Sequence, residues 1–232
     1  MRENNRKLNE LRPIEIVTGI VKNADGSVLI KTGNTHVICT ATISEKIPPW
    51  LSNQGWITAE YSMLPASTSS RVSREITKGK KNSRSQEIQR LIGRSLRSSL
   101  DLKLLGEKTI TIDCDVLNAD GGTRTASITG GYIALKIALN KIFNEKKINN
   151  EILTPIAATS IGIVKKKVLL DLNYEEDSQA DVDLNIVMNS KLEIIEIQGT
   201  AEKKSFSRKK LNEMLDIGTE GIKKILAIQE EF

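Results

Sequence analysis

The stretch Asp120-Gly-Gly-Thr-Arg-Thr125 lies between an alternating apolar run and a long helical pattern, and its residue types suit an anion. Paired glycines let the backbone close on a ligand, the first amides of the helix point outward, and the helix dipole adds positive charge at that end. With Gly122, a hydroxyl donor at Thr123 and a fixed charge at Arg124, the segment describes a phosphate cradle. Alone, the same residues serve equally as a glycine turn bearing a surface arginine. A second constellation is Asp171-Leu-Asn-Tyr-Glu-Glu-Asp-Ser178, followed by Asp181-Val-Asp183. Asp177 and Asp183, at the end of one strand and the start of the next, can converge as a catalytic pair and hold Mg²⁺ or Mn²⁺. Mg²⁺ is commonly bound through one or two carboxylates, with water and substrate oxygens completing its shell. Acidic hairpins, however, are usually only solvated. Arg84, just ahead of a cationic helix, is the third element, since a guanidinium binds phosphate in bidentate fashion.

What the chain lacks narrows the chemistry further. His36 is its one histidine, so neither a Ser-His-Asp nor a Cys-His hydrolase has an imidazole to spare, and a zinc site built on a histidine cluster is excluded. Chemistry driven by positioning and charge stabilisation remains, and phosphoryl transfer fits it best. Lys and Arg number 34 against 29 Asp and Glu, and the net charge of +5 favours a polyanionic partner only where it is clustered. Aromatics at 3% argue against a stacking platform of the kind single-strand binding domains carry. Cys39 and Cys114 sit in apolar strand-like segments and read as buried free thiols of a cytoplasmic protein. The charged start has no apolar leader, and no run reaches membrane-spanning length, so no membrane partner is expected.

These side chains need a framework of strands and helices. Segments rich in β-branched residues at 14–21, 27–32 and 35–43 are separated by Asp25-Gly26 and Gly33-Asn34, which have hairpin-turn chemistry, so the opening reads as an antiparallel meander. A strand at 56–61 leads to a polar, breaker-rich loop that carries Arg71, Arg74, Lys78, Lys80, Lys81 and Arg84. From 85 to 100, Ile88, Leu91, Ile92, Leu96 and Leu100 recur at helical spacing, with Arg90, Arg94 and Arg97 forming a cationic stripe on another face. Residues 109–116 alternate strictly and run into the glycine turn and a helix through about Phe143. Asn144 to Asn150 marks the midpoint. Strands at 157–164, 168–172, 182–188 and 192–198 follow, and a last helix begins near Ser207 as its cap. Each half is strands followed by helix, which predicts a single α+β domain of pseudo-duplicated halves spanning 1–232.

Taken in order, Leu11-Arg-Pro13, Gly26-Ser-Val-Leu29, Gly33-Asn-Thr35, Gly55-Trp-Ile-Thr-Ala-Glu-Tyr-Ser-Met-Leu-Pro65, Glu87-Ile-Gln-Arg-Leu-Ile-Gly-Arg94, Ile112-Asp-Cys-Asp-Val116, Asp120-Gly-Gly-Thr-Arg-Thr125, Glu176-Asp-Ser178 and Gln198-Gly-Thr200 resemble the ribonuclease PH family over nearly the whole chain. The resemblance implies duplicated βαβα halves, assembly as a homohexamer (a trimer of dimers), and phosphate-dependent 3′-to-5′ trimming of precursor tRNA and other RNA 3′ ends with release of nucleoside diphosphates. It further implies that Arg84, Gly122, Thr123 and Arg124 bind inorganic phosphate, that Asp177 and Asp183 carry catalysis or the metal, and that basic residues such as Arg71 and Arg74 lie near the RNA path or subunit contacts. Arg90 and Arg94 on the cationic helix are the other RNA-binding candidates. Asn5 and Asn82-Ser83 stand where the family usually has glycine, Ser85 where it has threonine, and Gly131 where it has alanine. The alternatives are a ring subunit that binds RNA without catalysis, as in exosome-like assemblies, and a hydrolytic nuclease, which would want a denser carboxylate cluster.

Overall fold

The structure, a computed structural model, describes residues 2, 5–79, 82–143 and 152–232, so Lys80, Lys81 and the 144–150 segment lie outside the described residues. Its first half forms a five-stranded sheet in the order β1-β2-β3-β5-β4, from β1 (Ile14–Thr18), β2 (Gly26–Thr32), β3 (Thr35–Ser44), β4 (Trp56–Met63) and β5 (Thr109–Asn118). The meander pairs antiparallel as expected, with Thr32 opposite Thr35 across the two-residue turn at Gly33-Asn34, where Gly33 has a φ of +54°. Asp25-Gly26 is not a turn. Gly26 begins β2 beneath a helix, and a Cβ there would meet the Ala134 carbonyl oxygen at 2.0 Å, so the glycine serves close packing.

In β5 the alternation holds: Ile110, Ile112, Cys114 and Val116 are buried, while Thr111, Asp113 and Asp115 face the other side. Its antiparallel pairing with β3 sets Cys39 opposite Cys114, two free thiols that both donate weakly to the Ser127 carbonyl at 3.8 Å. β4 reaches β5 through α1 (Ser83–Arg97) and pairs with it in parallel, as a crossover helix permits. α1 buries Ile88, Leu91, Ile92 and Leu96, each worth about 1.5–3 kcal/mol in area removed from water.

The second half forms a four-stranded sheet in the order β7-β6-β8-β9, from β6 (Ile156–Val164), β7 (Lys167–Leu170), β8 (Val182–Asn189) and β9 (Ile194–Ala201). α2 (Thr123–Phe143) packs against β2, β3 and β5 on one side and β6 on the other, so it lies between the two sheets. β6 also meets α4 (Arg208–Gln229) and is buried almost throughout, which is why its sequence, Ile-Ala-Ala-Thr-Ser-Ile-Gly-Ile-Val, lacks a polar face. Ile156, Ala158 and Val187 join the core of the first half, while α4 closes a second core with Met214, Ile222 and Ile225. Ser207 caps α4 as expected, accepting from the Lys210 amide at 3.2 Å.

The departures from glycine and alanine have local explanations. Asn5 adopts a φ of +56°, the left-handed backbone that asparagine tolerates. Asn82 does not, having a φ of −67°; its side chain instead accepts from the Arg84 amide and caps α1. Ser85 hydrogen-bonds Glu75, in a short 3₁₀ turn, 75–78, within the polar loop. At Gly131 a Cβ would stand 3.2 Å from Ile112, a contact that a small shift relieves.

Candidate active site

The glycine turn between β5 and α2 is under steric constraint. Gly121 and Gly122 have φ of +73° and +66°, and added Cβ atoms would lie 2.5 Å from the Leu172 carbonyl oxygen and 2.9 Å from Arg12 Nη2. Thr35 braces the turn through its hydroxyl, which donates to the Gly121 carbonyl at 2.6 Å and accepts from the Asp120 amide at 3.0 Å. Beneath it Arg12, 6% exposed, donates to the Asp120 carbonyl and to both oxygens of the buried Asp171 carboxylate, at 2.7 and 3.0 Å. Asp171 itself adopts a φ of +53°. One guanidinium thus ties the turn of the first half to the end of β7 in the second.

Within the turn, the Thr123 hydroxyl lies 2.9 Å from the buried Tyr61 phenol, and burial raises the Tyr61 pKa. Arg124 donates to Gln198 Oε1 at 3.0 Å and stands 3.6 Å from Glu87, so contacts from β9 and α1 aim its side chain. Arg84 is exposed in the first turn of α1, and its charge reaches Tyr61 and Asp177.

The acidic segment is not the hairpin its sequence suggests. Asp171 follows β7, and residues Tyr174–Gln179 form α3, a short helix with a capping box: Asn173 accepts from the Glu176 amide at 2.9 Å, and the Glu176 side chain returns to the Asn173 amide at 3.2 Å. Asn173 and Glu176, read as two more polar residues of an acidic loop, are the Asn-x-x-Glu signature that could have revealed it. Asp177 therefore sits on a helix and Asp183 on β8. Burial raises the Asp177 pKa, with Arg84 and Arg124 opposing the shift. Asp183 is pushed up to about 6 by burial and then by the neighbouring Asp177 charge, against Arg124 and a 3.4 Å bond from Asn185. Two half-buried carboxylates on one cleft, the charge of Asp177 raising the pKa of Asp183, have the donor chemistry of a divalent cation site. No cluster of three or more His, Cys, Asp or Glu suited to a metal occurs among the described residues. The pair thus fits an ion whose remaining ligands are water and substrate oxygens, rather than one closed in a protein cage.

Arg84, Gly122, Thr123, Arg124, Asp177 and Asp183 all line one cleft of about 780 Å³. Ser67 to Ser70, Val72, Asn34, Asn118 and Tyr174 extend it. The four other arginine candidates lie outside that lining. Arg71 and Arg74 are exposed on either side of Val72, and Arg74 lies near Asp115, whose pKa burial raises with the Arg74 charge opposing the shift. The cationic stripe of α1 is largely spent within the protein: Arg94 pairs with Glu196 at 2.6 Å, and Arg97 lies 4.4 Å over the Trp56 ring while donating to the Ile57 carbonyl at 2.8 Å. Arg90 is exposed.

Comparison with known proteins agrees with this architecture. The family model for the 3′ exoribonuclease family, domain 1, matches residues 10–139, and that for domain 2 matches residues 154–221. The chain is 52% identical over 235 residues to ribonuclease PH of Bacillus cereus (strain AH820), covering 100% of this chain and 96% of the relative. It is 50% identical over 233 residues to ribonuclease PH of Roseobacter denitrificans, covering 99% and 98%. Among solved structures, a chain of the Archaeoglobus fulgidus exosome with RNA bound to the active site superposes with a TM-score of 0.82 at 22% identity, covering 97% of this chain and 91% of that one. Rice Rrp46 does so with a TM-score of 0.80 at 17% identity, covering 99% and 98%. With its catalytic candidates gathered in one cleft and its whole length matched at half identity, the chain belongs to the 3′ exoribonuclease family, among the ribonucleases PH.

Proposed function

We propose that this chain trims the 3′ ends of precursor tRNA and other RNA by phosphorolysis, with inorganic phosphate as the nucleophile. The observation that carries the reading is the convergence of an anion cradle and a carboxylate pair on one cleft. Phosphate is received by the Gly122 and Thr123 turn, the Thr123 hydroxyl, Arg124 and Arg84. These groups hold it for in-line attack on the last phosphodiester. The new bond joins a phosphate oxygen to the terminal phosphorus, the bond to the preceding 3′-oxygen breaks, and that oxygen takes up a proton as the shortened RNA end. A nucleoside diphosphate leaves. Held by Asp177 and Asp183, Mg²⁺ or Mn²⁺ would supply neutralisation of the charge on the scissile group. A phosphodiester is exchanged for a phosphoanhydride, so the reaction is reversible and also adds nucleotides.

RNA is held mainly through its backbone, and affinity falls with salt. Arg71, Arg74 and Arg90 are exposed for such contacts, whereas Arg94 must leave Glu196 to join them. Assembly as a homohexamer, a trimer of dimers, and a cytoplasmic location complete the reading. Among the described residues no helix is long and apolar enough to cross a membrane. A ring subunit without catalysis would be expected to have lost acidic or phosphate-binding residues, and every one of them is present here. The test is to incubate the protein with a 3′-extended tRNA with and without phosphate. Nucleoside diphosphates released only with phosphate support the proposal, and monophosphates released without it would make the protein a hydrolase.

A further inference from the structure

Six residues of the cleft account for the phosphate and the acids, and a large part of its wall remains. The Ser67 to Ser70 segment, Asn34 and Asn118 are uncharged, and the one acid there, Asp120, is engaged by Asn34 and the Tyr174 amide, so that part suits the neutral portion of a nucleotide rather than its phosphates. One aromatic side chain belongs to the lining. Tyr174 is 63% exposed, in a chain whose two other tyrosines are buried at 2% each.

Its backbone position is fixed with respect to both chemical groups. The Tyr174 amide donates to Asp120 Oδ1 at 3.1 Å, which binds the residue to the phosphate turn. Tyr174 and Asp177 are three residues apart on α3, a spacing that puts side chains on the same helix face. The capping box ahead of Tyr174 stabilises that first turn. An aromatic ring left open to solvent one helical turn from a catalytic carboxylate meets whatever lies beside the scissile bond, and every base has a face that stacks on it.

The geometry points to Tyr174 as a stacking platform for a nucleobase at the 3′ end of the bound strand, terminal or penultimate. The inference rests on reading the cleft as an RNA 3′-end site and adds a contact to the base where the arginines reach only phosphates. It refines the expectation drawn from low aromatic content: a single well-placed ring suffices at a site that takes one end.

Equilibrium binding of a 5′-fluorescein single-stranded oligoribonucleotide, followed by anisotropy in phosphate-free buffer, tests the contact apart from turnover. Tyr174→Ala weakens binding roughly tenfold to a hundredfold, the effect of losing one base–aromatic stack, while Tyr174→Trp keeps it within about twofold of wild type. The slope of log affinity against log salt stays unchanged in Tyr174→Ala, whereas Arg71→Ala lowers it by about one. With an abasic residue at the stacked position, terminal or penultimate, the penalty of Tyr174→Ala disappears. Binding by Tyr174→Ala indistinguishable from wild type overturns the inference, as does a penalty that persists on both abasic strands. Wild-type protein that binds RNA in this Tyr174-dependent way yet releases no diphosphates with phosphate overturns the phosphorolytic reading and leaves the stacking contact standing.

Discussion

Glu176 and Asp177 are adjacent on α3, and their surroundings are opposite. Behind the helix, Glu176 accepts from Arg2 at 2.6 Å and Arg6 at 3.2 Å, and the same cluster joins Arg6 and Arg12 to Asp171. In front, Asp177 and Asp183 make no ion pair among the described residues. Burial alone would raise the Glu176 pKa, but the bond from Arg2 and the neighbouring charges outweigh it and hold the carboxyl below its ordinary value. Asp183, buried beside another acid, is pushed up to about 6. Buried charge that is paired maintains structure; buried charge left unpaired is costly and marks a candidate functional site.

Breaking the paired side should have the largest effect, and on stability. Asp171→Asn keeps the shape and tolerates the left-handed backbone but leaves the Arg12 charge uncompensated. A loss of about 3–5 kcal/mol in denaturant unfolding is expected. Breaking the unpaired side should spare stability and remove chemistry: Asp183→Asn lowers kcat by roughly 10²–10³ with RNA affinity retained, as measured in single-turnover trimming. A substitution at the cradle sharpens the contrast. Arg124→Ala raises the KM for phosphate roughly tenfold to a hundredfold with little change in RNA binding, the scale of hydrogen bonds to a charged ligand.

The smallest effect concerns pH. Because the folded Glu176 pKa is depressed, its contribution is present above the ordinary glutamate range, near about 4.3, and fades as pH falls through the lower folded value. Glu176→Gln should therefore lower Tm at pH 7, and the gap from wild type should narrow toward pH 3. A gap that widens on acidification would mean that the arginines do not stabilise the ionised form.

The comparison also shows which features local sequence carries. The glycine turn, the alternation of β5, the apolar faces of α1 and α4 and the Ser207 cap are legible because each rests on neighbours in the chain. By its neighbours in the chain Asp171 is the first of several acids in a polar stretch, yet it is buried because Arg12, 159 residues away, reaches it. Tyr61 and Thr123, or Glu87 with Arg124 and Gln198, likewise meet only once α2 and β9 are in place. Helical spacing makes Arg94 and Arg97 a stripe in the sequence, while Glu196 and Trp56, which occupy them, lie on other elements. Long-range pairing decides which charges are free for function, and periodicity does not encode it.

The division of labour between cradle and acids is tested most directly by titrating phosphate into Asp183→Asn by calorimetry and following RNA trimming by the same sample at saturating phosphate. Phosphate affinity at least equal to wild type, together with a rate reduced roughly a hundredfold or more, is the expected result. Phosphate binding lost together with turnover, or turnover left at the wild-type rate, would contradict it.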